Sequence, residues 1–359
     1  EWDNSKWAPL VTNLTQTRTK CTLYFKKTKK VNTVLGELEV YDYTPDFTKS
    51  ACDDEVCESH EKGIFETTDA DGTSYYYRGS VENNYFKFAD LWWRIIRING
   101  DGTIRLIYDG TTAHDNGEIS EDRQIGTSQF NLANNDNMYV GYMYTSEEIH
   151  GTTTSSTIKT AVDTFYKQKL VSYANYIDTN AGFCGDRSTL NLQSGVGTGS
   201  ITTYYDGYLR VLMSTPTLIC KNNADLYTVS SSNQGNKALQ YPIGLITVDE
   251  VIFSGNGGGV FDGNYNYTKS IIDSYLITGY LFITITPAGY YIPLGSGVTS
   301  TLPGATLFVV NPIYETGTAN GIIGDQGVER KFGIRPVINL KSNVKIIGDG
   351  TKENPYKIQ

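Results

Sequence analysis

Residues 92–108 confine this chain to a fold organised on β-structure. Trp92-Trp93-Arg94-Ile95-Ile96-Arg97-Ile98 and Thr103-Ile104-Arg105-Leu106-Ile107-Tyr108 are rich in β-branched and aromatic residues, and Asn99-Gly100-Asp101-Gly102 lies between them. Asn-Gly and Asp-Gly supply the backbone freedom of a tight turn, so the two runs pair as a hairpin. Trp92 and Trp93 place at least one ring in the core. A second turn, Asp69-Ala70-Asp71-Gly72-Thr73, leads into a strand over 74–79. Composition agrees: there are 36 Gly and 27 Tyr, and hydrophobic residues at 39% and charged residues at 19% both fall below ordinary globular usage.

Helical signals are few. Ser155-Ser156-Thr157 caps a segment in which Ile158, Val162, Phe165 and Tyr166 repeat along one face to about Lys169. A shorter helix starts at Thr247-Val248-Asp249-Glu250, a capping box. The acids of that box favour the helix dipole. Residues 274–314 hold no charge, and their Gly and Pro content points to buried strands joined by neutral loops, not a membrane helix. No run of about 20 apolar residues occurs, so the chain as given does not span a membrane.

A length of 359 residues fits two units. Residues 1–45 read as a partial N-terminal β module, with an alternating strand at 20–26 and a connecting arm over 31–50. Residues 46–359 form the main domain. The chain opens Glu1-Trp2-Asp3 and reads as a portion of something longer.

The net charge is −9, with one basic cluster at 26–30, which argues against a nucleic-acid partner. Three scattered histidines, His60, His114 and His150, argue against a His-built metal site or hydrolytic centre. No cofactor is expected. Asp69-x-Asp71-Gly72 and Asn99-x-Asp101-Gly102 read as turns, because neither continues as a calcium loop does. Glu121-Asp122 and Asp249-Glu250 are the paired carboxylates. Arg335, ahead of Pro336, reads as a buried charge-assisted partner that pins the chain end.

Five cysteines sit at 21, 52, 57, 184 and 220. None has zinc-ligand spacing. Two bridges, Cys52–Cys57 and Cys184–Cys220, are the economical pairing in polar loops of a secreted chain, with five free thiols in a cytosolic protein as the alternative. Cys21 is left over for a partner before Glu1 or on another chain.

Four segments occur in order: Tyr75-Tyr76-Tyr77-Arg78-Gly79, Trp93 through Thr103, Tyr241-Pro242-Ile243-Gly244-Leu245-Ile246-Thr247-Val248-Asp249-Glu250, and Gly333-Ile334-Arg335-Pro336-Val337-Ile338-Asn339-Leu340. The set resembles bacterial surface and secreted proteins that carry a domain of unknown function. That domain is similar to the C-type-lectin-like fold of formylglycine-generating enzymes and retroelement-diversified variable proteins. The resemblance covers roughly residues 46–359. It implies an α+β, C-type-lectin-like domain of short antiparallel strands with two helices, preceded by the β-strand remnant.

This chain departs from the family in places. Ile283-Thr284-Ile285-Thr286-Pro287 stands where a Trp-containing strand is usual. The late cysteine pair of the copper enzymes and the calcium-ligating tripeptides of sugar-binding lectins are missing. In the diversified proteins the late region displays the ligand-binding residues. Tyr265, Tyr267, Tyr275, Tyr280, Tyr290 and Tyr291 lie there among Gly, Ser, Asn and Thr, the composition of adaptable binding surfaces. Ordinary strand packing is the competing account of these tyrosines.

The expectation is an extracellular, non-enzymatic binding protein for a glycan or protein on a surface. The alternative is a structural subunit of a filament or surface layer, self-assembling through the N-terminal strand or the uncharged 274–314 region. An enzyme is the third class.

Overall fold

The computed structural model describes residues 27–48, 61–190, 202–230, 234–255, 274–292, 304–311 and 323–359, with the backbone of 2–3 and 8–9. Among these residues the architecture is α+β, mostly strand with three α-helices.

The larger sheet has ten strands and is organised on Leu91–Ile98. One edge of that strand pairs with Ile104–Gly110. The other edge is divided: Tyr85–Phe88 takes residues 91–94 and Gly72–Arg78 takes residues 97–98. Nearly every residue of the strand is buried, which explains why its apolar residues do not simply alternate with exposed polar ones. Trp93 is fully buried and its Nε1 donates to Phe88 O at 3.0 Å. Trp92 is half-buried, with Lys87 Nζ 5.6 Å from its ring centroid. The turn after this strand closes through Gly102 N to Asn99 O and Asn99 N to Thr103 O, both 2.8 Å, with Gly102 at φ +82°. Val337–Leu340 pairs with the far edge of Ile104–Gly110.

Residues 31–41, the first part of the expected 31–50 connecting arm, fold together with residues 28–30. They form a hairpin, Thr28–Thr33 with Gly36–Tyr41, that extends the large sheet through the parallel pairs Val40–Ile64 and Tyr41–Phe65. Leu38 and Val40 are buried, while the exposed Lys29 and Lys30 pair with Glu66 and Glu37. That charge density, common on edge strands, conceals the apolar alternation. The expected strand at 20–26 lies outside the described residues.

The second sheet has six strands. Thr127–Gln129, Lys331–Gly333, Phe282–Tyr291, Gly304–Val310 and Ile323–Gly327 follow one another, and Thr203–Tyr204 also pairs with Phe282–Tyr291. Residues 282–290 and 304–310 are buried. These parts of the uncharged region are therefore sheet interior and present no face for self-assembly.

α1, Thr157–Phe165, is capped by Ser156, buries Ile158, Val162 and Phe165, and runs on into a π-turn over Tyr166–Leu170. α2, Asp206–Met213, was not anticipated. Its Leu209, Leu212 and Met213 face outward, while Gly207 sits inward against Thr286 and Pro287. α3, Val248–Phe253, begins at the Thr247–Glu250 capping box and is buried throughout. One apolar core joins α1 to both sheets.

Candidate functional site

The two sequence turns meet at one place, and Asp69 joins them. Its Oδ1 accepts from Asp71 N at 2.9 Å and Gly72 N at 3.1 Å, which closes its own turn. Its Oδ2 accepts from Gly100 N at 2.8 Å in the neighbouring turn. Contact is so close that a Cβ at Gly100 would collide with the Asp69 carboxylate and Gly72 N. The tips of both turns, Asp71 and Asp101, therefore stand side by side at the mouth of a cleft of about 290 Å³.

The floor of the cleft is built from charge. Arg97 and Arg105 lie directly opposite each other in the register of the central hairpin, a repulsive arrangement on its own. Glu250, from the first turn of α3, lies between them. Arg97 Nε donates to Glu250 Oε1 at 3.2 Å, Arg105 Nη2 donates to Oε2 at 3.2 Å, and Arg105 Nε pairs with Oε1. Arg97 Nη1 also reaches Asp69 Oδ2 at 2.9 Å. Burial pushes the Glu250 carboxyl up, but Arg105, Arg97 and the Thr247 amide outweigh it and hold it below its ordinary range. Burial lowers the pKa of Arg105, with Glu250 opposing.

Asp249, next along α3, receives a fork from α2. Arg210 Nε and Nη2 donate to its two oxygens at 2.7 and 3.0 Å, and Arg210 Nη1 donates to Asp186 Oδ2 at 2.9 Å. Burial raises the Asp249 pKa despite this partner. Burial alone would lower Arg210, but Asp249 and then Asp186 reverse the direction. The fork explains why α2 turns its arginine inward and its leucines outward.

The remaining wall is tied by covalent and ionic links. Cys184 and Cys220 are disulfide-bonded, which holds the 217–223 segment beside the short strand Phe183–Cys184. Behind it, buried Asp225 accepts from Arg187 Nε at 2.8 Å and Arg187 N at 2.7 Å, and His150 Nδ1 lies 2.9 Å from its Oδ2. Leu218, Ile219 and Leu226 give this wall an apolar surface.

Chemically, this arrangement suits holding a ligand. Both buried acids of α3 are committed to arginines, and the cysteines facing the cleft are oxidised. Among the described residues no group of three or more His, Cys, Asp or Glu side chains is arranged to hold a metal ion.

The tyrosines and Arg335 singled out in the sequence lie elsewhere. Tyr275 is fully buried and Tyr290 nearly so, its hydroxyl donating to Asn135 O at 3.1 Å, so neither lines an outer surface. The apolar neighbours that put them in the late strand region also enclose them. Tyr280 is half-buried. Tyr291, half-buried, donates to Asp325 Oδ2 at 3.0 Å and packs edge-on against Tyr204. None of these four rings touches another among the described residues, and Tyr265 and Tyr267 lie outside them, as do Cys21, Cys52 and Cys57. Arg335 is buried, with Nη2 donating to Asp109 Oδ1 at 2.7 Å and Nε to Tyr108 O at 3.0 Å. The cleft itself had a signal in the sequence: two arginines opposite each other in a hairpin call for a carboxylate between them.

No family model, no curated protein and no solved structure matches the chain.

Proposed function

We propose that the chain is an extracellular, non-enzymatic binding protein whose C-type-lectin-like domain takes a polar surface ligand, a glycan or a protein, into the cleft at the two hairpin turns. The observation that supports this best is the contrast within the cleft. Its floor is a set of mutually neutralised, buried ion pairs, while exposed Asp71 and Asp101 stand at its mouth. Such a floor is rigid and needs no rearrangement on binding, which lowers the ordering cost of association. Bonding between Cys184 and Cys220 fits an oxidising compartment. The C-type-lectin-like reading rests on the ordered motifs, and the hydrogen-bonded pairing of Ile104–Gly110 with Val337–Leu340 supports it by bringing the hairpin motif and the last motif together. Six carboxylates in the cleft disfavour a phosphate backbone as ligand.

The test is a glycan and protein array probed with the purified chain and with Ala70→Trp. That substitution fills the mouth of the cleft from an exposed turn position and leaves the floor untouched. Capture by the wild type and loss in the variant is the expected result. Equal capture by both, or no capture by the wild type on either array, overturns the reading.

A further inference from the structure

We infer that the groove between α1 and the edge strand Thr127–Gln129 is a second binding site, one that takes a short uncharged oligosaccharide. The groove measures about 760 Å³, within the range of small-molecule sites, and shares no lining residue with the cleft at the hairpin turns. That cleft is lined by six carboxylates and three arginines. No Asp, Glu, Lys, Arg or His lies among the described residues that line the groove. Its polar groups are hydroxyls and amides, which both donate and accept, as sugar hydroxyls do. A charged ligand would surrender hydration here without meeting a counter-charge.

α1 presents Thr157, Thr160, Thr164 and Gln168 at spacings of three, four and four, which sets them on one face over roughly 16 Å. Thr160 Oγ1 donates to Ser156 O at 3.1 Å and Thr164 Oγ1 to Thr160 O at 2.8 Å, so both hydroxyls keep lone pairs for a ligand. Across the groove, Thr127 and Ser128 belong to the outermost strand of the six-stranded sheet. Tyr139 and Tyr144 supply the aromatic part. Their ring centroids are 5.4 Å apart at 70°, an edge-on contact in which each ring positions the other. Burial, with Tyr139 adding to it, raises the Tyr144 pKa, so its hydroxyl stays a donor. Among the described residues nothing hydrogen-bonds to the hydroxyls of Tyr139, Tyr144 and Thr157 or to the Gln168 amide. These unspent polar groups suit the hydroxyl rim of a sugar, and the two rings with Ile125, Phe165 and Ile334 suit its C–H face. A peptide added as a further strand needs a longer run of edge groups than the three residues of Thr127–Gln129 provide.

The test is an array of uncharged, sialylated, sulfated and amine-bearing glycans and of extended peptides, probed with the full chain and its variants. Thr164 is exposed and its hydroxyl bonds only within its own helix, so Thr164→Arg, which brings in a good helix former, fills the groove and leaves the fold intact. Wild type is expected to capture uncharged glycans with no loss in high salt. Ala70→Trp and Thr164→Ser should keep that capture, and Thr164→Arg should lose it at least roughly tenfold. If Thr164→Arg misfolds, Gln168→Ala, which removes one exposed amide, should weaken capture in its place. Equal capture by wild type and the groove variants, a preference for charged glycans or peptides, or no uncharged glycan captured overturns the inference. Uncharged glycans lost with Ala70→Trp and kept by Thr164→Arg belong to the cleft, which sinks the groove and leaves the proposed function standing. Every ligand kept by Ala70→Trp, with uncharged glycans lost in Thr164→Arg, sinks the cleft reading and leaves the groove.

Discussion

Arg335 Nη2 donates to Asp109 Oδ1 at 2.7 Å across 226 residues of sequence, and the same oxygen accepts from Nε and Nη2 of Arg123 at 3.0 and 2.8 Å. Arg94 is buried beside them, its Nη1 4.0 Å from the other Asp109 oxygen and its guanidinium 3.8 Å from the Tyr85 ring centroid. Burial pulls the Arg335 pKa down to about 10, with Asp109 opposing. One carboxylate thus serves three buried cations, whose other contacts include carbonyls, the Asn84 amide and the Tyr85 and Phe282 rings.

Asp109→Asn leaves that cluster without its anion. Removing one partner of a buried pair typically costs about 3–5 kcal/mol. Chemical denaturation of the variant should show a loss of that size, and an unchanged midpoint would refute the role given to Asp109.

Stability in acid should depend on Glu250. Its folded pKa lies below the ordinary 4.5. The stabilisation it contributes is therefore fully present above the unfolded value and is lost as pH falls through the folded one. Melting temperatures across the acid range should drop more steeply for wild type than for Glu250→Gln, which is less stable at neutral pH but has no carboxylate to protonate. Parallel acid limbs for the two proteins would contradict this.

The two tryptophans should behave differently. Trp93→Ala removes a ring enclosed on all sides and should cost about 3–5 kcal/mol. Trp92→Ala, at a half-buried position, should cost clearly less. Thermal unfolding of both variants reads the difference directly.

Opening the Cys184–Cys220 bridge releases a loop of 36 residues. The chain-entropy relation puts its contribution at about 4 kcal/mol. Reduction should lower the unfolding midpoint accordingly and also weaken ligand capture, because the bridge holds one wall of the cleft. Unaltered stability on reduction would contradict this role for the bridge.

Parts of the molecule that depend on neighbouring residues were legible in the sequence. The 92–108 hairpin announced itself through Asn-Gly and Asp-Gly between β-branched runs, α1 through its apolar spacing, and α3 through Thr247 and Glu250. α2 was not legible, because its apolar residues face outward and its one inward charge, Arg210, is explained by Asp249 and Asp186 from distant segments. The 28–41 hairpin was hidden by its lysines and glutamates. Tyrosine content alone could not separate a contact face from packing, and Tyr275 and Tyr290 are packing. Asp249 and Glu250 were visible as dipole-favouring acids, but the same side chains also neutralise Arg210 and the Arg97–Arg105 pair. Only tertiary structure supplies that second role.

The pairing of Ile104–Gly110 with Val337–Leu340 has a consequence for biosynthesis. During translation the central hairpin emerges early, yet the edge of its second strand at residues 104–107 stays open until residues 337–340 have left the ribosome. Meanwhile its in-register arginines wait for Glu250. Until its partner strand arrives, that edge is open to pairing with other chains. Closure of so distant a contact makes folding slow, so the yield of folded protein should depend on how crowded with its own copies the chain is while it waits.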